Sequence, residues 1–189
     1  FKLNILVIDN FDSFTYNLVH YLEDLDCNIE VVRYDNFSLQ IAKNYSNILI
    51  SPGPGHINDY PLLFELLQKY YHSRSILGIC LGHQLIASFF GYDVNQMTKV
   101  LHGKRIKINI LNHDFLFSGI SKNIFVGHYH SWCTVENKKS DLIVTSRSEK
   151  QIVTSVKHKT YNIFGIQFHP ESIMTEHGKK ILKNWINIC

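Results

Sequence analysis

The chain has 189 residues, 45% of them hydrophobic and 19% charged, proportions that exclude a disordered or coiled-coil protein. Nineteen Lys and Arg stand against 16 Asp and Glu, a net charge of +3; the basic residues are scattered, which leaves no footprint for nucleic acid. Apolar stretches such as residues 76–81 fall far short of the roughly 20 residues that span a bilayer, so no membrane is expected.

The first half alternates β-like runs with helical patterns. Residues 3–8, 28–33 and 47–50 read as strands, and 15–25 and 39–44 as the helices between them, a rhythm that predicts βαβ units and a parallel sheet. Leu62, Leu63, Leu66, Leu67 and Tyr70 recur at helical spacing behind Pro61, placing a helix at 61–71. A buried strand follows at 75–79, then a helix at 81–90 stopped by Gly91. From 93 to 167 the runs 105–110, 124–128, 142–146, 152–156 and 163–168 are β-like and separated by polar turns. They predict extra strands, several antiparallel, that complete or flank the sheet. A closing helix is expected at 175–188, with Ile181, Leu182, Trp185, Ile186 and Ile188 on its apolar side. No linker or repeat divides the chain. The expectation is one domain over 1–189, of the α/β class, with an open, mostly parallel central sheet flanked by helices and antiparallel strands added in the second half.

Four cysteines, Cys27, Cys80, Cys133 and Cys189, include no close pair for a metal knuckle or a redox motif. A reducing, cytoplasmic setting is expected. The chain opens on Phe1, as a trimmed start would, and residues 2–8 are too short an apolar run for a secretory signal.

Three segments carry chemistry. In Ile76-Leu-Gly-Ile-Cys-Leu-Gly-His-Gln84 a β-like run meets a helix at Cys80, with Gly78 and Gly82 two residues to either side. That is the spacing of a nucleophile elbow, with sulfur in place of hydroxyl. A helix N-terminus there favours the thiolate; the alternative is a small apolar core residue, the role of most free cysteines. Cys27, Cys133 and Cys189 lack flanking glycines and read as structural. The second segment, Gly165-Ile-Gln-Phe-His-Pro-Glu-Ser172, offers a base. Pro170 keeps His169 out of helical geometry, and in an extended segment His169 and Glu171 point the same way, as a histidine and its orienting carboxylate require. A solvated turn is the alternative. Third, Ser51-Pro-Gly-Pro-Gly55 follows a strand at the mouth of the sheet, where Gly53 offers a bare N–H for an oxyanion and Leu81 a second. An ordinary tight turn competes with that reading. His83, three residues after Cys80, is a rival base; His128 and His130 have metal-ligand spacing but no third ligand, and no metal site is expected.

Together, in this order and at these separations, the three segments resemble those of the class I (triad) glutamine amidotransferases, whose fold is flavodoxin-like. The resemblance covers essentially the whole chain. It implies that Cys80 attacks the side-chain amide of L-glutamine, that His169 carries the proton to departing ammonia, and that Glu171 orients His169. A γ-glutamyl thioester forms and water releases glutamate. It further implies oxyanion amides from Gly53 and Leu81, and a glutamine pocket lined by Gly53, Pro54, Gly55, Gln84, Ser131 and Trp132, the last two acting through backbone groups. Within the family, Asp9-Asn-Phe-Asp-Ser-Phe-Thr-Tyr-Asn17 and Lys99-Val-Leu-His-Gly-Lys104 resemble subunits that feed ammonia to chorismate-using synthases, those making anthranilate or 4-amino-4-deoxychorismate. A separate synthase subunit is therefore the implied partner, touched in part by Asn10 to Ser13. No cofactor is expected in this chain, magnesium belonging to the synthase.

Two departures stand out. The family more often has Arg-Tyr-His-Ser-Leu where this chain has His128-Tyr-His-Ser-Trp132, which predicts a bulkier pocket wall. Relatives carry a proline soon after the Pro-Gly-Pro-Gly loop, whereas here His56-Ile-Asn-Asp-Tyr60 comes first, which predicts a more mobile loop. The competing readings are a stand-alone cysteine hydrolase of γ-glutamyl substrates and a redox or binding module whose Cys80 is oxidised rather than acylated.

Overall fold

The computed structural model describes residues 2–112 and 115–188; Cys189 lies outside them. Strands β1 (Asn4–Asp9), β2 (Asn28–Arg33), β3 (Asn47–Ile50) and β4 (Ser75–Ile79) alternate with helices α1 (Thr15–Glu23), α2 (Leu39–Ala42), α3 (Pro61–Tyr70) and α4 (Leu81–Phe89). Five strands follow, β5 (Asp93–Ile110), β6 (Asn123–Val135), β7 (Leu142–Ser148), β8 (Val153–His158) and β9 (Ile163–Ile166), and then α5 (Gly178–Ile186). Among the described residues the nine strands form one sheet in the order β2-β1-β3-β4-β9-β8-β7-β5-β6. The half from β2 to β9 is parallel, and the half from β9 to β6 is antiparallel.

The parallel strands are apolar on both faces because helices cover both. Along β1, Ile5 and Val7 point into a core shared with Leu18 and Leu22 of α1 and Leu182 and Trp185 of α5. Leu6 and Ile8 point the other way, toward Leu63 and Leu67 of α3 and Leu85 and Ile86 of α4. This is the two-residue alternation of a strand turned into two cores. Trp185 is fully buried, and its indole N–H donates to Ser75 Oγ at 3.1 Å.

One feature of the strand order places the site. The chain returns from its antiparallel excursion to lay β9 beside β4, with Ile79 in register with Ile166. The segments leaving the C-terminal ends of these two strands therefore start side by side. On the other flank of β4, Ile50 at the end of β3 is in register with Gly78, so the loop after β3 emerges at the same place.

Three expectations are corrected. β5 and β6 are much longer than the runs 105–110 and 124–128, because they form a ribbon that extends past the cores. The strand expected to reach residue 168 ends at Ile166. The last helix starts at Gly178 rather than near 175: Thr175 Oγ1 is spent on the His169 carbonyl at 2.6 Å and Glu176 on the Phe125 N–H at 2.9 Å, while His177 is left-handed at φ 60°. Among the described residues no helix is long and apolar enough to cross a membrane.

Candidate active site

Cys80 stands between β4 and α4 with φ 53° and ψ −101°, a conformation that costs a non-glycine residue on the order of 1–3 kcal/mol and persists only where packing enforces it. The enforcement is visible at its neighbours. A Cβ on Gly78 would lie 2.4 Å from the backbone of Gly82, and one on Gly82 would lie 2.4 Å from the Ile50 carbonyl oxygen. Strand and helix thus meet where only glycine fits. The Cys80 N–H donates to Ile166 O at 2.8 Å, and the Gln84 N–H makes the first helical bond, to Cys80 O, at 3.0 Å. Helix geometry leaves the N–H of Leu81, the first residue of α4, without an intrahelical acceptor.

His169 and Glu171 reach this elbow from beyond β9, as a tight turn rather than as an extended segment. Ser172 N–H closes that turn on His169 O at 3.2 Å, and His169 N–H is tied to Gly127 O at 3.0 Å. Within it, His169 Nδ1 meets Glu171 Oε1 at 2.6 Å, with both residues buried. Burial opposes a charge on His169, yet its interactions with Cys80 and with Glu171 outweigh burial and hold the imidazole well above its ordinary range. Its Nε2 is buried and makes no formed hydrogen bond, so the pull of Cys80 acts across a gap, as is common before substrate tightens a site. Tyr129 packs edge-on against the His169 ring at 5.0 Å. Nearby, the Asp12 carboxyl is pushed up by burial, with His169 pulling it the other way and Glu171 adding to the rise.

The rival base is elsewhere. His83 is fully buried, its Nε2 3.2 Å from Thr134 Oγ1 and its ring against Gly165, where a Cβ would lie 2.7 Å from Nδ1. Burial lowers it to about 3, which keeps it neutral. His128 and His130 pair with each other, Nδ1 to Nε2, at 2.8 Å.

The Pro-Gly-Pro-Gly loop is brought to the elbow as expected. Gly53 is wedged between Asn10 and Leu81: an added Cβ would lie 2.6 Å from Asn10 O and 2.9 Å from Leu81 Cδ2. Asn10 buttresses the loop's start, its N–H donating to Ser51 Oγ and its Nδ2 to Ser51 O, both at 2.9 Å. The loop expected to be mobile is instead fastened. His56 Nδ1 accepts from Asn58 N–H at 3.2 Å, Asp59 accepts from His56 N–H at 2.8 Å, and Tyr60 Oη donates to Pro54 O at 2.8 Å. A helix-type capping box stiffens this loop without a proline. The His56 ring also packs edge-on to Trp132 at 4.5 Å, so the bulkier residue at 132 contacts this loop.

Gln84 and Trp132 are together: Gln84 Nε2 donates to Trp132 O at 3.1 Å. Ser131 falls where the β5–β6 register breaks, between the Gln96–Trp132 and Leu101–His130 pairs. One residue at the site was not foreseen. Gln167, fully buried, puts Nε2 3.5 Å from Cys80 Sγ and accepts from Gln84 Nε2 at 3.2 Å. Its position two residues before His169 was the available signal.

The family model described as glutamine amidotransferase class-I matches residues 6–189. The chain belongs to this family. Two similar chains carry more specific names. The chain is 40% identical over 191 residues to the anthranilate synthase component 2 of Thermus thermophilus, covering 97% of this chain and 92% of that one. It is 38% identical over 187 residues to the aminodeoxychorismate/anthranilate synthase component 2 of Bacillus subtilis, covering 96% and 95%. A crystal structure of a Thermoplasma acidophilum protein, provisionally assigned as a subunit of GMP synthase, superposes with a TM-score of 0.91 at 26% identity, over 100% of this chain and 94% of that one. For a class I amidotransferase, the geometry supplies what acyl transfer from an amide needs: a sulfur on a strained elbow, a buried histidine disposed to take its proton, and a carboxylate behind it.

Proposed function

We propose that this chain is the glutaminase component of an anthranilate synthase. The observation that carries the reading is the buried His169–Glu171 pair turned onto the Cys80 elbow, in a chain similar over nearly its full length to component 2 proteins. His169 takes the Cys80 proton, and the sulfur attacks the side-chain amide carbon of L-glutamine. The oxyanion is held by the N–H groups of Gly53 and Leu81. His169 then returns the proton to the departing nitrogen as ammonia leaves, and a γ-glutamyl thioester remains. Water, deprotonated by His169, attacks the thioester; glutamate leaves and the thiol is restored. Glu171 fixes the Nδ1–H tautomer of His169 throughout. Gly53, Pro54, Gly55, Gln84, Ser131 and Trp132 form the glutamine pocket.

A component II requires a component I, the subunit that binds chorismate and receives the ammonia. Magnesium serves that subunit, and this chain carries no cofactor of its own. Phe11, Phe14 and Tyr16 are about half exposed and Ile173, two residues past Glu171, is 99% exposed; these apolar side chains support docking of the partner around the triad. Asn10 takes no part in that contact, being fully buried against Ser51, so the contact set shifts to Phe11 through Ser13 and the exposed aromatics after them. The free thiols of Cys80 and Cys133 support a reducing, cytoplasmic setting. The name of the Bacillus subtilis relative favours a second reading, one subunit shared with the aminodeoxychorismate branch.

The test combines the purified chain with each chorismate-using synthase chain of the same organism, glutamine, magnesium and chorismate, and identifies the aminated product. Anthranilate, lost with Cys80→Ser and His169→Gln, is the expected result; both products mean a shared subunit. If each synthase works with ammonium but neither draws on glutamine, the partner assignment is wrong. Persistence of function in His169→Gln alone points to a cysteine sensor instead.

A further inference from the structure

The Trp132 carbonyl accepts two hydrogen bonds, from Gln84 Nε2 at 3.1 Å and from His130 Nδ1 at 2.7 Å. A carbonyl only accepts, so these two contacts decide the orientation of everything attached to them. Gln84 must present its NH2 toward Trp132. The same nitrogen reaches Gln167 Oε1 at 3.2 Å, which fixes the second amide as well. The NH2 of Gln167 is thereby turned to the other side, where it stands 3.5 Å from Cys80 Sγ. Rotating the Gln167 amide to place its oxygen at the sulfur would bring two NH2 groups face to face in a buried space, since Gln84 is 3% and Gln167 0% exposed. The Gln167 backbone is pinned too, its N–H donating to Thr154 O at 2.9 Å.

The other arm of the carbonyl is settled by the same logic. His130 carries its proton on Nδ1, so its Nε2 accepts and His128 Nδ1 donates to it at 2.8 Å. Burial lowers His130 to about 4 and pushes His128 well below its ordinary value, so both stay neutral and the pattern holds. A hydrogen-bonded chain runs from His128 through His130, the Trp132 carbonyl, Gln84 and Gln167 to the nucleophile.

We propose that Gln167 is a catalytic residue: locked by Gln84, it keeps an N–H donor on the Cys80 sulfur and stabilises the thiolate, both before attack and when it is expelled from the thioester. The second half of that statement rests on the glutaminase reading; the first stands without it. The titratable groups beside Cys80 are His169, with Glu171 behind it, and Asp12 within electrostatic reach of both. All three are retained in the variants that test the proposal.

The experiment follows iodoacetamide alkylation of Cys80 against pH in the full chain, read at residue 80 by peptide mass spectrometry, for wild type, Gln167→Leu, Gln167→Glu and Gln84→Leu. A hydrogen bond to a charged group is worth about one pH unit or more, a tenfold change in thiolate fraction. The alkylation midpoint of Gln167→Leu is expected to rise by about one unit. Gln167→Glu, which still accepts from Gln84 but sets a carboxylate oxygen against the sulfur, is expected to rise further. Gln84→Leu, which unlocks Gln167, rises by less and decides the matter if Gln167→Leu does not fold. In the two Gln167 variants glutamine turnover falls about tenfold or more alongside, with KM little changed. Midpoints that coincide with wild type overturn the proposal, including the case in which turnover collapses, because Gln167 then acts only through packing. A shifted midpoint in a chain without glutaminase activity overturns the functional reading and leaves the sulfur donor standing.

Discussion

Gly82→Ala is a severe test of the elbow. The new Cβ would lie 2.4 Å from the carbonyl oxygen of Ile50 and 3.0 Å from both Cβ and Cγ2 of the same residue, whereas ordinary contact begins at 3.4 Å. The nearest atom is backbone in a strand paired on both sides, with β1 and with β4, so it has no rotamer to change. Helix α4 must retreat from β3 by about 1 Å, taking Leu81 and Cys80 with it. Overpacking of this kind costs about 1–3 kcal/mol. Alanine returns up to about 1 kcal/mol through helix propensity. The net destabilisation, about 0–3 kcal/mol, lowers Tm by up to roughly 12 °C in a domain of this size. Turnover suffers more, since a misplacement of about 1 Å at reacting groups costs on the order of a hundredfold. Thermal unfolding and glutamine turnover at saturating synthase partner measure the two effects. A Tm equal to or above wild type with turnover within about threefold would show that helix and strand do not meet as closely as described.

Glu171→Gln removes the charge that helps hold His169 protonated; its imidazole resonance is expected to titrate at lower pH, with turnover reduced about 10²- to 10⁴-fold, and an unmoved titration refutes the pairing. Folding stability should fall as pH drops from 6.5, because His83 and His130 stay neutral in the native chain down to about 3 and about 4 while their unfolded counterparts take up protons. The slope is at most about 1.4 kcal/mol per pH unit for each. His169 has the opposite sign: its raised value adds stability that is fully present below about pH 6.5 and is lost as pH rises through the raised value. Urea midpoints from pH 4.5 to 9 test both arms, and His83→Gln should flatten the acid arm; an unchanged slope in that variant is the refuting result. Phe11→Asp with Phe14→Asp should weaken synthase binding about tenfold or more by calorimetry while Cys80 alkylation is unaffected; an unchanged Kd removes this surface from the docking face.

What the sequence made legible follows what the strands touch. β1, β3 and β4 lie between two helical layers, so Ile5 through Ile8 and Ile48 through Ile50 are all fully buried and read as unbroken apolar runs. The ribbon half of β5 left no such trace, because Asn95, Gln96, Lys99, His102 and Lys104 are exposed and its pairing with β6 is held by backbone bonds. The triad and the loop after β3 were readable because glycine and proline mark the backbone they demand. For Gln167 the place two residues before His169 is the one trace, and its role depends on Gln84 and Trp132, which are remote in sequence. The turn holding His169 and Glu171 was likewise hidden: it is closed by Gly127 and Thr175, contacts that exist only once β6 and β9 are in place.

The anchor of the amide chain belongs to the main chain, and this changes what mutation can do to it. Every amino acid at position 132 brings the same carbonyl, so no single substitution deletes the group on which Gln84 and His130 converge. Side-chain identity at 132 is therefore open to drift, and to redesign, in a way that identity at 84, 167 or 80 is not. A library that varies residue 132 together with His56, its edge-on neighbour, would reshape the wall of the pocket while leaving the groups that orient the sulfur in place.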